Sequence, residues 1–209
     1  MLESLLYSSD SLNVDLFYAI NGINSPVFRQ AMLYVSMVGK HLMFPVYFAI
    51  FIGSAWFHSK QFKAAGRHET YSHYILKVKK TTVFLLLSYA LYLGWVYGFK
   101  HLFHMPRPFI RLPEGTVQIF DSVRSAEAPY VSFPSGHSAF VMMMLAGLWP
   151  LLGGNGKFIG LLLLLWVGIS RISLGVHFPS DVAGSWVVSL LVVVISRRLL
   201  MPLIYKVIK

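Results

Sequence analysis

Long apolar runs separated by short polar or glycine-rich breaks dominate this chain, and their lengths predict helices that cross a membrane. Five runs qualify, at about 42–58, 81–99, 137–152, 158–174 and 178–196. The shorter runs must borrow polar flanks to reach the roughly 20 residues of a straight crossing. Gly153-Gly154-Asn155-Gly156 has turn composition and folds the third and fourth runs into an antiparallel hairpin. Residues 10–24 mix apolar and polar positions at helical spacing, which predicts an amphipathic segment lying in the interface. Residues 26–39 contain a shorter apolar stretch, Ala31 to Val38. It predicts a helical approach to the first span, or part of one long tilted span broken near Gly39-Lys40. Residues 101–136 carry Pro106, Pro108, Pro113, Pro129 and Pro134 and read as a long loop.

Composition sharpens this picture. Apolar residues make up 56% of the chain and charged residues only 12%, about half the charge of a soluble domain. The mean hydropathy is +0.62. The expected fold is all-α, a polytopic transmembrane helical bundle of five spans with an N-terminal amphipathic segment. A sixth span within 10–40 would move both termini to one side. One integral membrane domain is expected over 1–209, with its motif-bearing core at about 80–196. The first ten residues, MLESLLYSSD, carry acids, lack a basic leader and have no long apolar core, so no cleavable signal peptide is expected. The chain has no cysteine, which excludes disulfides and thiolate metal sites.

The net charge of +10 is unevenly placed. Lys60, Lys63, Arg67, Lys77, Lys79 and Lys80 crowd one segment between spans, against the single acid Glu69. Arg197, Arg198, Lys206 and Lys209 follow the last apolar run, and Lys157 sits in a short turn. These positions alternate so as to share one membrane face, the positive-inside pattern. The expected partners of this face are anionic lipid headgroups, and no nucleic acid is implied. Threading the five spans from a cytoplasmic 59–80 segment puts Lys100, His137, Arg171 and Asp181 together on the opposite face.

Those residues belong to three stretches that carry the candidate chemistry. The first is Lys100 followed by Arg107-Pro108, the second Pro134-Ser135-Gly136-His137, the third Ser170-Arg171 with His177 and Asp181. Cations at the ends of apolar helices are costly unless paired or functional. Guanidinium forks match phosphate oxygens and an ammonium adds a point charge. Three converging cations repel one another unless an anion sits among them. Ser135 and Gly136 open a helix, whose free N–H groups form an anion site. His137 at that mouth can protonate a departing oxygen. Asp181, four residues after His177, can fix the imidazole tautomer and leave the other nitrogen nucleophilic. His177 would then attack phosphorus, and water activated by His137 would release phosphate. His41, His58, His68, His73, His101 and His104 have no ligand spacing and read as interfacial, although His101 and His104 flank the cations. The loop over 108–133 carries Arg111, Glu114, Asp121, Arg124 and Glu127, charges expected to be solvated.

All three stretches together make the chain resemble the membrane-bound type 2 phosphatidic acid phosphatase superfamily. The resemblance covers about 80–180 by motif and the remaining spans by topology. It implies that Lys100, Arg107, Ser135, Gly136 and Arg171 bind phosphate, that His137 is the acid, and that His177 is the nucleophile with Asp181 as its partner. It implies no metal and no cofactor, and a site facing the periplasm or exterior of a bacterial inner membrane. The implied partner is a phosphorylated membrane lipid substrate: undecaprenyl diphosphate or phosphatidylglycerol phosphate, then lipid A phosphate. A lipid-to-lipid phosphotransferase would use the same site. A vanadium haloperoxidase shares the anion pocket in the wider superfamily, while a lipid transporter or channel would not need His177.

Overall fold

The computed structural model describes residues 12–23 and 25–208 and is helical throughout its regular structure. The first ten residues, for which no signal peptide is expected, lie outside the described residues. Helix α1 spans Leu12–Asn21, α2 Pro26–Val38, α3 Phe44–Ala64, α4 His68–Phe103, α5 Pro108–Arg111, α6 Asp121–Ala126, α7 Gly136–Leu148, α8 Gly154–Ser173 and α9 Pro179–Val207. Three helical stretches, α8, α9 and α4 through to Arg111, together with α3 and the 3-10 turn before it, are long and apolar enough to cross a membrane. The fifth apolar helix, α7, has only 13 residues.

The short α7 is the hub of the bundle, packed by α4, α8 and α9. Its Phe140 is fully buried and meets the rings of Tyr47, Tyr89 and Tyr92. At 1.5 Å per residue α7 covers about 20 Å, less than a full crossing of the hydrocarbon. Its last carbonyls therefore need donors. Arg197 of α9 supplies them, donating to Ala146 O at 3.1 Å and Gly147 O at 2.9 Å.

Two expectations change in detail. The cationic 59–80 segment, read as lying between spans, is itself mostly helical: α3 runs to Ala64 and α4 begins at His68, leaving a turn with Gly66 at φ +69°. Lysines are good helix formers, and leaving the hydrocarbon is no reason to end a helix. The 101–136 stretch contains two short helices, α5 begun by Pro108 and α6 beginning at Asp121. Near Gly39-Lys40 the chain does break. Ser25 caps α2 and Gly39 ends it, then a 3-10 turn, His41–Met43, leads to α3. A side chain at Gly39 would begin 2.7 Å from Val167 Cγ1 and 3.1 Å from His137 Cβ, so glycine lets α2 end against α7 and α8.

The amphipathic segment forms α1, which buries Val14 and Phe17 in a cluster with Leu112, Ile172, Phe178 and Val182 while Leu12 stays exposed. Its last residue, Asn21, joins three elements. Asn21 Nδ2 donates to Gln118 O at 2.8 Å and to Ser173 O at 2.9 Å, and Oδ1 accepts from Gln118 N at 2.9 Å. Asn21 is 1% exposed, so losing these bonds strands buried backbone groups. Asn21→Leu is expected to lower unfolding stability in detergent by about 2–3 kcal/mol. A thermal or denaturant midpoint equal to the parent's would refute the clamp.

Candidate active site

Helix direction brings the three motif stretches to one end of the bundle. Lys100 lies in the last turn of α4, Gly136 and His137 open α7, Arg171 lies in the last turn of α8, and His177 precedes α9. Between them is a cavity of about 150 Å³. Lys100, Arg107, Gly136, His137, Arg171 and His177 all line it. Among the described residues, no three His, Asp or Glu side chains cluster closely enough to share a metal ion.

Arg107 organises the loop above the cavity. Flanked by Pro106 and Pro108, it is extended (φ −74°, ψ 160°) and precedes α5. Its N–H donates to Pro129 O at 2.9 Å and its Nε to Ala128 O at 2.7 Å. Its guanidinium also donates to Val176 O at 2.8 Å and to Glu127 Oε2 at 2.6 Å. Arg171 donates to Ser36 Oγ at 2.6 Å and makes a very short contact with Glu127 Oε1. Lys100 Nζ donates to Val131 O at 2.8 Å.

Glu127 is thus the residue that sequence reasoning placed in solvent and the structure places in the site. Its two oxygens bridge two nearly inaccessible guanidiniums. Burial pushes its carboxyl up, but Arg171 and Arg107 outweigh this and hold it below the usual carboxylate range. No local sequence signal marked it. His41, read as interfacial, also lines the cavity, as do Tyr92 and Tyr97. His101 and His104 are exposed and do not line it.

The catalytic candidates meet as follows. An Arg107 N–H faces His177 Nε2 at 3.3 Å. With Nε2 accepting, the proton lies on Nδ1, which faces Asp181 Oδ2 at 3.8 Å, too long for a hydrogen bond. Asp181 Oδ2 accepts from Ser132 Oγ at 2.6 Å and from Phe178 N at 2.9 Å, so the carboxylate also caps α9. Burial first, then Arg107, Arg171 and Lys100, hold the His177 pKa well below the ordinary histidine value, leaving the ring neutral. Ser135 is fully buried beside the cavity and does not line it; its hydroxyl lies 3.1 Å from that of Ser138, and its N–H donates to Ser185 Oγ at 2.7 Å. Arg171 Nε and His137 Nε2 are buried with no hydrogen-bond partner among the described residues.

Comparison with known proteins establishes the family and the fold. The chain belongs to the PAP2 superfamily, whose family model matches residues 81–204. A lipid A 1-phosphatase of Rhizobium etli is 35% identical over 78 residues, which are 35% of this chain and 33% of that protein. A lipid A 1-phosphatase of Rhizobium johnstonii is 33% identical over 78 residues, 35% of this chain and 32% of that one. The match thus spans about a third of the length of these relatives. Among solved structures, Aquifex aeolicus LpxE is 25% identical with a TM-score of 0.63, covering 93% of this chain and 99% of that one. A transmembrane PAP2-type phosphatidylglycerolphosphate phosphatase from Bacillus subtilis shares the fold, with 20% identity and a TM-score of 0.64 over 90% of this chain and 83% of that one.

Replacing Glu127 by its amide removes the charge that offsets two buried guanidiniums. Glu127→Gln is expected to destabilise the fold by on the order of 3 kcal/mol in phosphate-free detergent. Inorganic phosphate should raise the variant's thermal midpoint more than the parent's. Identical midpoints with and without phosphate would show that the arginines do not depend on this carboxylate.

Proposed function

We propose that this protein is a metal-independent lipid phosphatase that removes a phosphate monoester or a terminal phosphate of a diphosphate from a membrane lipid. The observation that carries the reading is the 150 Å³ cavity where Lys100, Arg107 and Arg171 meet the two histidines His137 and His177. A phosphoryl group there would gain charge-assisted hydrogen bonds from both guanidiniums. It would take the place of the Glu127 carboxylate, which must move aside, and would offer an acceptor to Arg171 Nε. The lysine and arginines would supply the charge stabilisation that a metal gives in other phosphoryl-transfer sites.

In the first step His177 Nε2 attacks phosphorus and forms the N–P bond of a phosphohistidine. The P–O bond to the lipid breaks, and His137 gives its proton to the leaving oxygen. In the second step His137 takes a proton from water, whose oxygen attacks phosphorus. The N–P bond breaks, releasing phosphate and restoring His177. Asp181 would favour the Nδ1–H tautomer and offset the positive charge that the ring gains. Lipid A bearing a 1-phosphate becomes the leading substrate, on the likeness to the two rhizobial relatives. Undecaprenyl diphosphate and phosphatidylglycerol phosphate follow. By the positive-inside pattern the site faces the periplasm.

Phosphate release from lipid A 1-phosphate by purified protein in detergent with EDTA tests the reading. Activity should persist with EDTA, and His177→Ala should reduce turnover by at least about 10³-fold, because the covalent step is lost. Metal dependence, or substantial turnover by the variant, would overturn the mechanism. The pH profile gives a separate check. A nucleophile with a lowered pKa stays unprotonated on acidification, so kcat/KM should begin to fall only below the ordinary histidine value of about 6.5. An acid limb at or above that value would contradict a neutral, depressed His177.

A further inference from the structure

The other end of the bundle carries a second cluster of cations that the reaction does not use. Lys80 and Lys100 are 20 residues apart on α4, about 30 Å along the helix axis, which matches the hydrocarbon thickness of a bilayer. The two clusters therefore belong to opposite membrane faces. At the Lys80 end a cavity of about 380 Å³ is lined by Lys77, Lys80, Thr81, Arg197 and Tyr205, among others. Lys80 is only 7% exposed, and its ammonium lies 3.6 Å from the centre of the Tyr205 ring. Lys77 Nζ donates to Pro150 O at 2.8 Å, and Arg197 donates to the carbonyls that end α7. Among the described residues none of these three cations pairs with a carboxylate. Each ammonium and the guanidinium keeps donors to spare.

Three cations around one cavity, one of them nearly inaccessible to solvent, form a site suited to an anion, and no carboxylate among the described residues fills that part. The neighbouring space says which anion. Pro150 and Arg197 also line a second cavity of about 440 Å³, whose walls are Leu145, Trp149, Leu190 and Val194. Trp149, Leu190 and Val194 are exposed apolar side chains on, or at the end of, helices long or apolar enough to meet hydrocarbon. The basic cavity and the apolar groove thus lie side by side, sharing Pro150 and Arg197, the adjacency that a charged headgroup joined to an acyl chain would need.

We propose that this is a binding site for an anionic phospholipid of the leaflet opposite the catalytic cavity. The headgroup phosphate sits among Lys77, Lys80 and Arg197, and one acyl chain lies along the groove beside Trp149 and Leu190. The ligand is bound, not hydrolysed, since no histidine pair like His137 and His177 faces this cavity among the described residues. The site stands whether or not the reaction proposed above is correct.

Native mass spectrometry of the detergent-purified protein tests it, with dioleoyl phosphatidylglycerol and dioleoyl phosphatidylcholine as probes. The parent should retain one phosphatidylglycerol in preference to phosphatidylcholine. Lys77→Gln and Lys80→Gln should each weaken that retention roughly fivefold or more. Lys79→Gln, with the same loss of charge one residue outside the cavity lining, should leave it unchanged. Lys77 is exposed, so Lys77→Gln carries the test if Lys80→Gln lowers the folded yield. Inorganic phosphate should not displace the lipid. Equal retention of the two lipids, or an equal loss with Lys79→Gln, would reduce the site to diffuse charge and overturn the proposal. Displacement by inorganic phosphate would overturn the lipid assignment in favour of a plain anion site.

Discussion

Two guanidiniums almost sealed from water, Arg107 at 2% and Arg171 at 4% exposure, must share one anion for this end of the bundle to hold together. Charges of one sign in a poorly solvated site cost several kcal/mol each unless a counter-charge meets them. Glu127 provides it by bridging both. The same contact fixes the loop above the cavity, because Arg107 binds the carbonyls of Ala128 and Pro129 on either side of the bridge. On the function proposed above, the carboxylate holds the place that a substrate phosphate would take. The resting site is thereby kept compact while remaining suited to a stronger anion.

Much of the remaining architecture brings groups to that point. The short α7 carries His137 at its start and stops short of a full crossing. Arg197 makes this possible by capping its last carbonyls from α9. Asp181 meets two demands, holding the first turn of α9 and lying beside the His177 ring. Asn21 pins α1 to the loop at Gln118 and to the end of α8 just beyond Arg171. The amphipathic N-terminal helix is therefore built into the bundle and is not confined to contact with a membrane surface.

The two ends of the bundle answer the same electrostatic problem differently. The end that carries His137 and His177 meets its cations with a carboxylate from the protein. The opposite end caps α7 and orders α4 against α9, yet Lys77, Lys80 and Arg197 have no carboxylate among the described residues. In a membrane, headgroups are an abundant source of anions, so a site at that level can draw its counter-charge from lipid.

How much was legible in the sequence follows from how far each feature depends on local order. Apolar run lengths determined the helices, because backbone polar groups in hydrocarbon must be satisfied within each segment. Once the runs alternate across a bilayer, the ends bearing Lys100, His137, Arg171 and His177 must share a face, and these residues do meet in one cavity. The break at Gly39-Lys40 was visible for the same local reason. Glu127 and His41 were not legible, since their places depend on how an irregular loop and a helix break fold back over the cavity. That folding is set by Arg107 on Pro129, by Asn21 on Gln118 and by a glycine-thin contact at Gly39, none of which has a periodicity to read. The sequence by itself determined which groups reach one membrane face; only the tertiary structure decided which of them touch, because long-range hydrogen bonds and ion pairs, not chain spacing, fix distances of a few ångströms.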